Sequence, residues 1–139
     1  MVHALKEAWR VLRPQGIMLD IRPQSVDVPL ELVYEEEREA VGIVDMSPDL
    51  EYDVAADQAI GTVIKGGIFK EVNVEYFDYA YYWKTFHGMM VDFEERWKDE
   101  IIISKGVIDK AGLLYNEKRP NARFRLGMRM KLGKYQKQQ

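Results

Sequence analysis

Two groups of residues in this 139-residue sequence carry side chains suited to chemistry. The first is Asp20 and Arg22, which with Pro23 stand at the carboxyl end of the apolar run Ile17-Met18-Leu19-Asp20-Ile21. Open α/β sheets gather their ligands at the carboxyl ends of strands, so an acid and a guanidinium at that point read as substrate contacts. The competing reading is local, with Arg22 paired to a neighbouring acid and Asp20 capping a loop. The second group is the aromatic run Tyr79, Tyr81, Tyr82, Trp83 and Phe86, followed by His87. Such rings wall pockets for apolar or cationic ligands, which makes Trp83 and His87 the substrate-binding candidates of this segment. An aromatic cluster is more often core or interface, and His87 has neither a second histidine nearby nor any cysteine to form a metal site. No catalytic residue stands out.

Charge narrows the partners. The net charge is only -3, but acids dominate from Glu31 to Asp57 and none follows Arg119. Arg123, Arg125, Arg129 and Lys131 recur along the closing segment, a pattern able to follow a phosphate backbone. The overall acidity argues against nucleic acid and favours pairing with Glu35-Glu36-Glu37, with Asp49, Glu51 and Asp53, or with a second chain. The chain has no cysteine, hence no disulfide framework, and no apolar run reaches the roughly 18 to 20 residues of a membrane span. Met1 leads into an amphipathic pattern rather than a signal peptide, so the expected compartment is the cytoplasm and no membrane partner is expected. Length and composition suit a single domain over residues 1–139.

The elements that must position these residues follow from periodicity. Leu5, Ala8, Trp9, Val11 and Leu12 form the apolar face of a helix that Arg13-Pro14-Gln15-Gly16 stops, with Gly16 able to supply the positive φ of a turn. Ile17 to Ile21 reads as a strand covered on both faces. Leu30 to Glu35 and Ala40 to Met46 form a β-hairpin turning at Glu36 to Glu39, a surface insertion over residues 30–46. Ser47-Pro48-Asp49 opens a helix that Gly66-Gly67 closes. From Phe69 a strand carries Val72, Val74 and Tyr76, then shifts phase to Phe77, Tyr79, Tyr81 and Trp83, as a bulge near Tyr76 would cause. Val91 to Lys118 predicts two short helices broken at Gly106, and Phe124, Leu126, Met128, Met130 and Leu132 share one face of a final strand.

This order resembles the C-terminal half of a class I S-adenosylmethionine-dependent methyltransferase. The match rests on His3-Ala4-Leu5-Lys6-Glu7-Ala8-Trp9-Arg10-Val11-Leu12-Arg13-Pro14-Gln15-Gly16, similar to the family's helix and turn before its fifth strand, usually an acid, two residues, arginine, Val-Leu, basic, Pro-Gly-Gly. Gln15 stands where the family usually has the first of two glycines. Gly66-Gly67-Ile68-Phe69-Lys70-Glu71-Val72 resembles the family's lead-in to its penultimate strand, and Arg123 to Leu132 its last strand. The resemblance implies an α/β fold: a partial Rossmann-like methyltransferase sheet with flanking helices and an inserted β-hairpin. It implies S-adenosylmethionine as the family cofactor, yet the glycine-rich loop, the ribose-binding acid and the adenine-side aspartate have no counterpart here. Gly61, Gly66 and Gly67 lie within or after a helix rather than after a strand.

The expectation is therefore a substrate-side half that is inactive alone and binds no cofactor tightly, with the acceptor near Asp20 and Arg22 under the hairpin, Trp83 and His87. The alternative is a non-catalytic homo-oligomeric binding or assembly module. In the full family fold the Ile17 to Ile21 strand pairs with one from the first half, so its expected partner is a missing N-terminal half or, in a homodimer, a second copy anchored by Trp9.

Overall fold

The computed structural model describes residues 1–24 and 26–139. In chain order its elements are α1 (Val2–Val11), β1 (Ile17–Pro23), β2 (Asp27–Tyr34), β3 (Glu37–Asp45), a 3-10 turn (Ser47–Asp49), α2 (Leu50–Lys65), β4 (Phe69–Trp83), α3 (Phe86–Val91) continued by a π-helical turn (Asp92–Arg96), α4 (Lys105–Asn116) and β5 (Arg123–Lys137). The protein is mixed α/β and its five strands pair antiparallel, in the order β1-β5-β2-β3 with β4 also on β5. Adjacent strands therefore run oppositely, unlike the parallel neighbours of a doubly wound sheet.

The chain divides into two compact units. The first comprises Met1–Gln24, Leu50–Phe77 and Arg129–Gln139. Here β1 lies against β5 from Ile17↔Gln136 to Pro23↔Met130. Ile60, Val63, Phe69 and Tyr135 form the buried centre, against which Val2, Leu5, Trp9 and Leu12 of the first helical segment and Met18 of β1 pack. The 2, 5, 9, 12 spacing is the helical stripe that α1 turns inward, whereas Val11, expected on that stripe, is exposed. The helices cover one face of β1. Ile17, Leu19 and Ile21 on the other face are 38%, 57% and 53% exposed, which corrects the expectation of a strand buried on both sides.

The stop between α1 and β1 also differs from expectation. Gly16 N–H donates to Arg13 O at 2.8 Å, and it is Gln15, at φ 60°, that takes the left-handed conformation. With Pro14 second and a positive φ third, the turn has type II character. Gly16 is required for space, since a Cβ there would stand 2.8 Å from Arg13 O.

The second unit comprises Ser25–Asp49 and Asp78–Met128. Its centre is the hairpin that read as a surface insertion. Val28, Leu30, Leu32 and Val44 are wholly buried, as are Phe124, Leu126, Met89 and Ala111, with Phe93 and Leu114 nearly so. The hairpin is core because β2 pairs β5 as well as β3, from Leu30↔Leu126 to Val33↔Arg123, so its inward side chains meet those of β5 and the helices. Its turn falls between Tyr34 and Glu37, with Glu35 at φ 52°.

Two further boundaries move. Gly106 lies inside α4, whose start is set by Ser104 accepting from Val107 N–H, so the interhelical break precedes it. Along β5, Phe124, Leu126 and Met128 are buried, but Met130 and Leu132 are only partly so, and the first unit instead buries Gly133 and Tyr135. The inward parity changes because α1 and α2 lie over the odd-numbered side of β5.

Two stability measurements check this account. Leu32→Ala should lose about 2–5 kcal/mol in urea denaturation, as a core deletion does and a surface insertion does not. Gln15→Gly should be stabilising by up to about 1 kcal/mol, because it relieves a left-handed non-glycine residue at a position where glycine fits.

Candidate functional site

The side chains of Met18, Asp20 and Arg22 alternate onto the helix-covered face of β1, which aims Arg22 at the first turns of α2. Arg22 Nε donates to both carboxylate oxygens of Asp20, at 3.1 and 2.9 Å. One terminal nitrogen donates to the Asp53 carbonyl at 3.0 Å, and the other to Asp57 Oδ1 at 2.6 Å. Lys131, opposite Arg22 across the β1/β5 ladder, adds a 3.5 Å contact to the same Asp57 oxygen. Sequence spacing brings Asp20 and Arg22 together as expected. Asp57 and Lys131 complete the cluster, and Asp57 was missed; its signal is the four-residue separation from Asp53, which places both on one helix face.

Burial by itself lowers the Arg22 pKa, but the hydrogen bonds it donates to Asp57 and Asp20 outweigh it and the net shift is upward. For Asp57, burial pushes upward, and the hydrogen bond and charge of Arg22, with a smaller contribution from Lys131, carry the carboxyl below its ordinary value. Tyr135, on the same face, has its phenol raised by burial and then by the charge of Asp20. Every nitrogen of the Arg22 guanidinium is thus engaged within the unit, which is the geometry of an ionic clasp between strand and helix.

The opposite face of this unit holds an open groove of about 370 Å³, lined by Leu19, Val72, Asn73, Glu75, Leu132 and Lys134. Three apolar side chains share its walls with one amide, one acid and one base.

Trp83 and His87 belong to the second unit. Trp83 is buried, its rings stacking or tilting against Tyr81, Phe93 and Trp97, and its Nε1–H donates to Asp92 Oδ2 at 2.7 Å. That is a satisfied core tryptophan. His87 is exposed in the first turn of α3, which Thr85 caps by accepting from Gly88 N–H. A separate cleft of about 470 Å³ in this unit is lined by Val33, Glu35, Lys84, Asn121, Ala122 and Arg123.

The basic side chains of the last strand are absorbed within each unit. Arg125 binds Glu31 at 3.0 Å, Arg123 stacks over Tyr82 and Arg129 over Tyr76. Glu31 and Asp57, two of the acids engaged, lie beside rather than within the clusters that charge alone suggested.

The glycines test whether S-adenosylmethionine fits this chain. Gly67, at φ 74°, donates to Ile64 O, and Ile68 N–H donates to Val63 O, the paired bonds of a helix stop. Gly61 lies inside α2. These residues terminate and build a helix, and they do not form a backbone cradle between a strand and a helix. The residues present do not fit the cofactor.

Among the described residues no helix is long and apolar enough to cross a membrane. Comparison with protein-family models, with curated proteins and with solved structures finds no match.

Removing the clasp gives a pH-dependent signature. A depressed Asp57 pKa adds stability above the unfolded carboxylate value, about 3.9, and that stability is lost as pH falls through the folded value. Because Asp57 is half exposed its share is screened, and Arg22→Gln should destabilise by about 1–3 kcal/mol at pH 7. Urea denaturation at pH 7 and pH 3 checks this: the gap between variant and wild type should narrow at the lower pH.

Proposed function

We propose that this chain is the substrate-side half of a class I methyltransferase-like fold, inactive without a cofactor-binding half. The observation that carries the reading is the build of the first unit. β1 and β4 each run against β5, so they are parallel to one another on its two sides, and the connection between them passes through the β2/β3 hairpin and then α2, which returns the chain to the first unit. Parallel strands joined through a helix that packs on their sheet are the crossover unit of α/β proteins. In this reading the open face of β1, with its groove, is the side on which a further layer would lie. The Arg13–Gly16 turn adds support: position 15, where the family most often has glycine, is the one with positive φ. The expected acceptor contact at Arg22 gains no such support, because each of its nitrogens already has a partner within the unit.

A second reading, a non-catalytic homo-oligomeric module, is favoured by the absence of a glycine cradle and by the unpaired outer side of β1. The two readings part on a coding-sequence observation. An upstream in-frame segment specifying a strand and a glycine-rich loop favours the enzyme half, and its absence favours the module.

Calorimetric titration of the chain with S-adenosylmethionine should give no saturable heat at micromolar concentrations. Binding near 1 μM, about -8 kcal/mol, would overturn the claim that the cofactor half is lacking.

A further inference from the structure

We propose that two copies of this chain join through their β1 edges, antiparallel about a two-fold axis centred on Leu19. The inference concerns this chain by itself; in the methyltransferase reading a cofactor-binding half would take the same edge. It begins from which backbone groups of β1 are used. Gln24 N–H donates to Arg129 O, and Lys137 N–H donates to Gly16 O. Both bonds continue the β1/β5 register, so the even positions of β1 form the hydrogen-bonded pairs with β5. Ile17, Leu19 and Ile21 consequently direct N–H and C=O away from β5, and among the described residues nothing pairs with them. The same three residues put exposed apolar side chains on the open face.

Other outer strands are defended where β1 is not. β3 begins Glu37-Arg38-Glu39 and its last residue, Asp45, is bridged to Ile102, while β4 carries Lys70, Glu71, Glu75 and Asp78. Charge along an edge discourages pairing. On β1 the charged residues are Asp20 and Arg22, which lie on the helix-covered face and bind one another.

The occupant is a second copy because the edge is complementary to itself in one register. Outward groups sit on odd positions, so odd must face odd. Centred on Leu19, Leu19 faces the second copy's Leu19 and Ile17 faces Ile21, which satisfies every outward N–H and aligns the apolar side chains as cross-strand pairs. Centring on Asp20 brings two aspartates opposite one another and sets Ile17 against Pro23. Centring on Ile21 sets Leu19 against Pro23, which has no N–H to give. Centring on Met18 sends Ile21 past the strand to Gln15, in the turn.

Single cysteines test the register cleanly, since the chain has none of its own. Hydrogen-bonded antiparallel pairs hold their Cα atoms about 5.5 Å apart, within disulfide reach, whereas copies of position 17 would lie about 14 Å apart. Under mild oxidation of the full chain, L19C should form covalent dimers at least tenfold faster than I17C, and an I17C/I21C mixture should cross-link as the mixed pair. Light scattering should give a dimer mass, and L19K, an exposed position whose fold is checked by circular dichroism, should give a monomer. A monomer mass at roughly 100 μM, above the micromolar range expected of a specific dimer, overturns the proposal. So does a dimer in which L19C fails to cross-link, or in which I17C cross-links as fast as L19C.

Discussion

The sheet depends on β5, because β1, β2 and β4 all take their pairing from it. A strand that serves several neighbours must present inward side chains to more than one core. β5 does so by burying Phe124, Leu126 and Met128 at one end and Tyr135 at the other, on opposite parities. Since side chains alternate with period two, no single alternating pattern describes both ends. Each core is then closed locally, by α1 and α2 in the first unit and by the β2/β3 hairpin with α3 and α4 in the second.

Electrostatics follows the same local logic. The basic residues of β5 do not form a free cationic stripe, because Lys131 meets Asp57, Arg125 meets Glu31, and Arg123 and Arg129 lie over tyrosine rings. Arg22 is the tightest case. A largely buried guanidinium is tolerated only when its donors are matched, and here one strand residue and one turn of helix supply every acceptor. This fixes α2 across β1 and turns Asp20 and Arg22 inward, while Ile17, Leu19 and Ile21 face outward.

That division gives the functional reading its form. Crossover connection, helices on one face and an open apolar face on the other describe an α/β layer with one side covered. Glycines that would be needed for a nucleotide-like cradle are instead consumed in stopping α2. In the second unit Trp83 contributes to packing rather than to a site.

The amphipathic face of α1, the stop at Arg13–Gly16, the β2/β3 hairpin, the extent of α2 and the terminal strand were legible from local pattern, because turn residues and side-chain periodicity act over a few positions. So was the pairing of Asp20 with Arg22, two residues apart on one strand face. Which residue of the turn takes positive φ was not, because Gln15 is held there by the Arg13–Gly16 hydrogen bond. Nor could the sequence reveal that the hairpin is core, since an apolar alternation reads alike whether its inward face meets helices or lies on a surface. The same ambiguity hid the exposure of Ile17, Leu19 and Ile21: an apolar run states what a strand can bury, and only the neighbours brought by tertiary structure decide which face has something to bury it against.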